Sequence, residues 1–379
     1  MRPSIMERFD GLADRFLADI EPLKDSGSLV VGIYCTYAPV ELVRAAGAVP
    51  VGLCGKKQAP IPAAERTLPA NLCPLIKSSY GYAVTDTCPY FAAADLLVGE
   101  TTCDGKKKMY EHLGKIKPLH LMHLPATGGE AQDAYWLGEV RRFKTFLESA
   151  TGRAITDEAL GAEIRLQNEV RRLLSLVLST SRGPCVPLSG LDMLRVTEAK
   201  SFSADPHAYA ATLRELSAEL EALSAAGTSC VSADARRILL TGCPVGRGSE
   251  KLLRLIEESG AVVVAAENCS GVKSFDGLVE EAGDPLAAIA RRYLRIPCSV
   301  MTPNAGRLEL LDRLTQEMRP HGVVDLTWHC CHTYNVESPI VAAHMLEKHG
   351  LPTLHIETDY ADADVEQLRT RVEAFLEIL

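Results

Sequence analysis

The residues best suited to chemistry are twelve cysteines, at positions 35, 54, 73, 88, 103, 185, 230, 243, 269, 298, 330 and 331. A thiolate can act as nucleophile, disulfide partner or metal ligand. None of these cysteines forms a C-x-x-C pair, so zinc ribbons, thioredoxin sites and ferredoxin-type runs lack their signature. Any metal must therefore take its ligands from separate loops that the fold brings together. The competing reading is a set of buried thiols that pack as small apolar side chains.

The surrounding chain limits these choices. Its 379 residues suggest two or three domains. With 47% hydrophobic and 23% charged residues, it belongs with soluble globular proteins rather than disordered or low-complexity ones. A net charge of −9 argues against a nucleic-acid partner. Residues 1–25 mix charges with apolar residues at helical spacing, as an amphipathic helix does and a signal peptide does not. No apolar run reaches the length of a membrane span. The expected location is the cytoplasm, where disulfides are uncommon and cysteines remain thiols or ligands.

Two segments read alike. Leu29-Val30-Val31-Gly32-Ile33-Tyr34 is an apolar strand ending at Cys35. Pro39 suits a helix start, Gly47 closes that helix, and residues 49–53 form a strand leading to Cys54. Further on, Arg237-Ile238-Leu239-Leu240-Thr241-Gly242 ends at Cys243. A helix follows, Gly260 caps it, and residues 262–266 lead to Cys269. Further strands are expected at 96–98, 119–123, 322–327 and 353–356. This alternation predicts α/β architecture: two doubly wound parallel-sheet, flavodoxin-like lobes related by an internal pseudo-repeat, plus a helical insert. Helices expected at 135–150, 157–180, 188–202 and 206–226 make up that insert. The expected units are an N-terminal α/β lobe (1–130), a helical bridge (131–235) and a C-terminal α/β lobe (236–379). In open parallel sheets ligands bind beyond the carboxyl ends of the strands. Cys35, Cys54, Cys103, Cys243, Cys269 and Cys331 all follow predicted strands. If the lobes face each other, two sets of thiols meet in one cleft, where helix N-termini favour thiolate.

Longer motifs carry a resemblance. Tyr34-Cys35-Thr36-Tyr37-Ala38-Pro39-Val40-Glu41-Leu42, Asn71-Leu72-Cys73-Pro74-Leu75-Ile76-Lys77-Ser78-Ser79-Tyr80-Gly81, Cys88-Pro89-Tyr90-Phe91 and Gly99-Glu100-Thr101-Thr102-Cys103-Asp104-Gly105-Lys106-Lys107-Lys108 resemble the 2-hydroxyacyl-CoA dehydratase family, which includes benzoyl-CoA reductase subunits. Thr241-Gly242-Cys243-Pro244, Glu267-Asn268-Cys269-Ser270-Gly271, Cys331-His332-Thr333-Tyr334 and Ile356-Glu357-Thr358-Asp359-Tyr360 continue it and are similar to the double-cubane cluster branch. The resemblance implies an oxygen-sensitive redox enzyme component with an [8Fe-9S] double-cubane cluster. It implies a homodimer that reduces a small molecule with electrons from a separate ATP-hydrolysing [4Fe-4S] activator. Carried over by position, Cys35, Cys73 and Cys103 would hold one cubane, and Cys243, Cys269 and Cys331 the other. Cys298 is an alternative to Cys269, and Cys330 to Cys331. The alternative functions are a 2-hydroxyacyl-CoA dehydratase subunit with a single [4Fe-4S] cluster, or a cluster-bearing electron carrier. No catalytic residue is assigned.

Other signals are weaker. Gly242-Cys243-Pro244-Val245-Gly246-Arg247-Gly248-Ser249 precedes a helix but lacks the G-K-[ST] ending of a phosphate loop. Its glycines read better as letting backbone approach a bulky cluster. Lys106-Lys107-Lys108 reads as a solvated helix face or a docking patch. His329 and His332 could deliver protons. Glu41 and Glu267 lie near proposed ligands. His120 and His123 fall on opposite faces of one strand and make a poor ligand pair.

Overall fold

The computed structural model describes residues 2–379 and contains two four-stranded sheets, each all-parallel. The first holds β1 (Val30–Ile33), β2 (Val49–Gly52), β3 (Leu96–Glu100) and β4 (Leu119–Met122), in the order β2-β1-β3-β4. The second holds β5 (Arg237–Gly242), β6 (Val262–Ala266), β7 (Gly322–Trp328) and β8 (Thr353–Thr358), in the order β6-β5-β7-β8. The same order recurs, and this confirms the predicted pair of lobes and their pseudo-repeat. In each sheet the order reverses between the first and third strands. That switch point opens a crevice at the carboxyl edge, and Cys35, Cys103, Cys243 and Cys331 lie just past the strands that flank it.

The strands form where apolar β-branched residues run continuously, as strands covered on both faces require; every residue of β3 and of β7 is buried. Along the chain, β4 and β5 are separated by long helices, Glu130–Thr151, Asp157–Ser179, Gly190–Ala199 and Pro206–Ala225. Three of their starts are capped by side chains: Thr156 accepts from the Ala159 N–H, Ser189 from the Asp192 N–H and Asp205 from the His207 N–H. Gly11 divides the expected N-terminal helix into Met6–Asp10 and Leu12–Asp25. In the first piece, Met6 and Phe9 bury into the core shared by the helical segment and the second sheet. No described helix is long and apolar enough to cross a membrane.

The lobes share cores. Tyr34 and Cys73 from the first lobe pack in one cluster with Cys243, Trp328 and Tyr360 from the second. Polar bonds cross the same seam: Tyr37 Oη donates to the Ile296 carbonyl at 2.6 Å, and Tyr360 Oη to the Gly55 carbonyl at 3.3 Å. One glycine is dictated by this packing. Gly242 adopts φ +100°, and a Cβ there would stand 2.1 Å from the Leu326 carbonyl oxygen. Its conformation turns β5 so that the Cys243 N–H bonds that same oxygen at 2.7 Å.

Candidate functional site

A cavity of about 960 Å³ lies between the lobes, beyond the carboxyl edges of both sheets. Cys35, Cys73, Cys103, Cys243, Cys269 and Cys331 all line it, and so do Cys54, Cys88, Cys298 and Cys330. Cys185 and Cys230 do not.

Local structure explains how the thiols arrive there. Cys73, Cys103 and Cys331 each occupy the N-cap of a helix, respectively Pro74–Thr85, Asp104–Leu113 and His332–His349. The free N–H groups and dipole at such a terminus stabilise negative sulfur. Cys330 adopts the left-handed φ of 59°, turning the chain so that its neighbour caps the helix. Cys243 lies beneath the end of β7 and accepts the Trp328 backbone N–H at 3.3 Å. Cys54 donates to the Tyr34 carbonyl at 2.8 Å, and Cys88 accepts the Phe91 N–H at 3.4 Å.

Six of the ten thiols that line the cavity interact as two groups of three, and each group draws on both lobes. Cys331 lies within hydrogen-bonding reach of Cys243 and Cys73. Those two contacts hold the Cys331 thiol well below its ordinary range. The Cys73 thiol is pushed well up, first by its bond to Cys331 and then by burial; the Cys243 thiol is also raised, chiefly by burial. In the second group burial raises Cys35 to about 12, and Cys269 and Cys298 to about 11. Negative charge on Cys298 raises Cys269, charge on Cys269 raises Cys35, and charge on Cys35 raises Cys298. Three such thiols ionise together only with cations between them. Two clustered sets, in which buried Cys73, Cys243 and Cys298 join half-buried Cys35, Cys269 and Cys331, therefore fit a polynuclear metal group better than they fit inert packing. Cys103 lines the cavity from its helix start. The sequence reading placed Cys73 with Cys35 and Cys103; in space it adjoins Cys243 and Cys331.

Aromatic rings cover both groups. Tyr360 adjoins Cys73, Cys54 and Cys243, and packs edge-on against Trp328 with ring centroids 4.8 Å apart. Tyr37 and Tyr334 adjoin Cys298 and Cys269.

The electrostatics of the lining oppose those of the whole chain. The protein carries a net charge of −9, yet lysines and arginines outnumber Asp14, Asp104 and Glu198 around the cavity. Lys106 is buried and donates to the Tyr34 carbonyl at 3.2 Å, while Lys107 and Lys108 remain on the exposed face. Lys200 Nζ bonds the Ser274 carbonyl at 2.8 Å, and burial pushes its ammonium down to about 7. Arg44 and Arg292 also hydrogen-bond backbone carbonyls, of Ser203 and Ala204 and of Asp276 and Gly277; burial lowers both to about 10. Buried cations whose hydrogen bonds go to carbonyl dipoles favour an anionic occupant.

The two glutamates noted in the sequence are both buried and ion-paired. Glu41 meets Arg171 at 2.5 Å and accepts from Tyr293 Oη at 2.7 Å. Glu267 meets Lys273 at 2.5 Å and accepts from Thr241 Oγ1 at 2.8 Å. His329 is exposed, 3.5 Å from Glu357, and His332 lines the cavity. His120 stacks on Phe143 and Phe146, and burial pushes it down to about 4.

Glu100, at the end of β3, is fully buried, and neither carboxylate oxygen has a hydrogen-bond partner. Burial raises it from 4.5 to about 8, against the pull of Lys106. The folded chain then holds a proton that the unfolded chain releases. Stability should fall as pH rises between 4.5 and about 8, and Glu100→Gln should flatten that slope. Denaturant unfolding of both chains at several pH values across this window checks it; equal slopes refute the assignment.

Sequence comparison places this site in a family. The 2-hydroxyglutaryl-CoA dehydratase D-component profile matches residues 35–379. YjiM of Escherichia coli (strain K12), provisionally named a dehydratase subunit, is 43% identical over 379 residues, spanning 100% of this chain and 98% of its own. The (R)-phenyllactyl-CoA dehydratase beta subunit of Clostridium sporogenes is 24% identical, across 94% of this chain and 93% of its own. A benzoyl-CoA reductase subunit of Thauera aromatica is 22% identical, across 77% and 73% respectively. The thiol-lined cleft between two parallel-sheet lobes is thus that of a chain belonging to the 2-hydroxyglutaryl-CoA dehydratase D-component family.

Proposed function

We propose that the chain is the cluster-bearing component of a low-potential reductase in the cytoplasm. In this reading it holds an [8Fe-9S] double cubane, pairs with itself, and receives electrons from a separate ATP-hydrolysing [4Fe-4S] activator. The observation that carries the proposal is the pair of three-thiol sets facing one cavity. Cys73, Cys243 and Cys331 would hold one cubane, and Cys35, Cys269 and Cys298 the other. This set keeps five of the six residues chosen from sequence and takes Cys298 as the sixth, leaving Cys103 near the cluster. Bound there, the group would supply strongly reducing electrons to a small molecule.

The chain's own residues have distinct tasks in this reading. The helix N-termini behind Cys73 and Cys331 and the Trp328 N–H stabilise anionic sulfur. Lys106, Lys200, Arg44 and Arg292 offset negative charge in the cavity. Tyr37, Tyr334 and Tyr360 exclude water. The working division remains a lobe at 1–130, a bridge at 131–235 and a lobe at 236–379.

Iron and acid-labile sulfide, measured after purification without oxygen, test the proposal. About eight irons per chain are expected; about four favours the second reading, a single-cubane dehydratase subunit. That reading draws on the relatives named as dehydratase beta subunits. A chain without iron rejects both.

The partner's role in ATP hydrolysis has its own test. Three N–H groups of the Gly-rich loop after Cys243 are already taken by side chains of the chain itself. Gly246 N donates to Ser249 Oγ at 3.1 Å, Arg247 N to Glu198, and Gly248 N to Glu250. No cradle is left there for phosphate oxygens. The isolated chain should show no ATP hydrolysis above a no-protein control, and steady turnover would overturn this part of the reading.

A further inference from the structure

We propose a second metal site, for a single divalent transition-metal ion, formed by Asp312, His344 and His349. None of the three lines the thiol cavity. Asp312 lies on the helix Ala305–Met318, and both histidines lie near the end of the helix His332–His349. Their Nε2 atoms converge on one oxygen: His344 Nε2 is 2.7 Å from Asp312 Oδ1, and His349 Nε2 is 2.6 Å from it. The second carboxylate oxygen, Oδ2, is held by Lys348 Nζ at 2.6 Å. The three side chains are 12–20% exposed, so the convergence is built into the packing of the two helices rather than being a chance meeting of mobile groups.

Two imidazole nitrogens and one carboxylate oxygen make a donor set suited to zinc, cobalt or nickel. Calcium and magnesium need more oxygen ligands than this cluster offers. The three donor atoms lie within 4.8 Å of one another. Tetrahedral bonds of about 2.0–2.2 Å set donors about 3.3–3.6 Å apart, so each ring need draw back from Asp312 by no more than about one ångström. Lys348 fixes which carboxylate oxygen points inward, as partners beyond the ligands commonly do. Solvent would complete the coordination.

The placement gives the ion a task. The same two helices are joined at their other end by Glu337, which meets Arg307 at 2.6 Å and Asn304 at 2.8 Å. That end begins at Cys331. A metal at Asp312 would fasten the far end of the helix whose first turn carries a proposed cluster ligand.

The test is a cobalt(II) titration of the full-length, tag-free chain with its cluster in place, under anaerobic conditions. One cobalt per chain should bind with weak visible bands of nitrogen and oxygen ligation and no new sulfur-to-metal band. Asp312→Asn and His349→Gln should each weaken binding by well over about a hundredfold, beyond the roughly 10–100-fold cost of removing an outer partner. His207→Gln, on an exposed residue elsewhere, should leave it unchanged. Unaltered far-ultraviolet circular dichroism in the variants shows that they remain folded. Zinc should also raise the unfolding midpoint of the parent chain but not of His349→Gln. Cobalt bands of thiolate type, absence of binding, or binding that survives both ligand variants each overturn the site. Iron content reads the thiol cavity separately, so the two proposals fail independently.

Discussion

Cys331→Ala, purified without oxygen, should carry about half the iron of the parent chain, whereas Cys185→Ala should carry all of it. The argument starts from position. Cys331 is the thiol on which both Cys73 and Cys243 converge, and it caps an 18-residue helix whose dipole favours its ionised form. Its loss leaves the set with two thiols, one short of the three proposed for each cubane. Cys185 lies outside the cavity. Cys103→Ala decides between the two ligand sets. Full iron supports Cys298 as the sixth ligand, and iron reduced to the level of Cys331→Ala restores the set divided lobe by lobe. Equal iron in Cys331→Ala and Cys185→Ala would defeat both.

Glu267→Ala should destabilise the fold by about 3–5 kcal/mol, the range for breaking a buried ion pair from one side. The Glu267 carboxylate has no exposed surface and lies 2.5 Å from Lys273 and 3.5 Å from Arg307. Burial alone would raise its pKa, yet Lys273 and Arg307 hold it below 4.5. Without it, Lys273 keeps one weak bond, to Tyr334 Oη at 3.4 Å, and remains a buried cation. Arg307 retains Glu337 at 2.6 Å and Asp325 at 3.8 Å, so most of the loss falls on Lys273. Because the folded pKa of Glu267 is lowered, its contribution is present above 4.5 and fades as pH falls through the lower folded value. Glu309→Ala, on an exposed face of the neighbouring helix, should stay within about 0.5 kcal/mol of the parent. Chemical denaturation of the three chains measures the difference; a loss in Glu267→Ala as small as in Glu309→Ala would show that the network is not held by this carboxylate.

Much of this architecture was legible in the residues. Continuous apolar runs closed by cysteine marked the strands, and their repetition gave two matching sheets, because parallel strands buried on both faces admit little else. The thiols at strand ends also led to a single shared cavity. What the chain order could not convey was which thiols meet. Cys73 precedes Cys243 by a whole helical segment, and the two meet in a core to which the second lobe contributes Tyr360 and Trp328. Lys106 shows the same limit. A run of three lysines suggests a wet helix face, yet Lys106 shares a helix side with Met109, Tyr110 and Leu113, all buried. That three- and four-residue spacing was the available signal. Lys273 gave a similar hint, a charge set among Val272 and Phe275, both of which prove buried.

The mixing of thiols from both lobes has a consequence for biogenesis. Neither lobe, released alone, would possess a complete set, so a nascent polypeptide could not be loaded in stages as each half emerges. In the proposed sets Cys35 would wait, reduced and vulnerable to oxidants, until Cys298 had left the ribosome, and Cys73 until the turn after β7 had done so. Metallation would then act as a rivet through the finished molecule, and its failure should leave both halves prone to proteolysis rather than one.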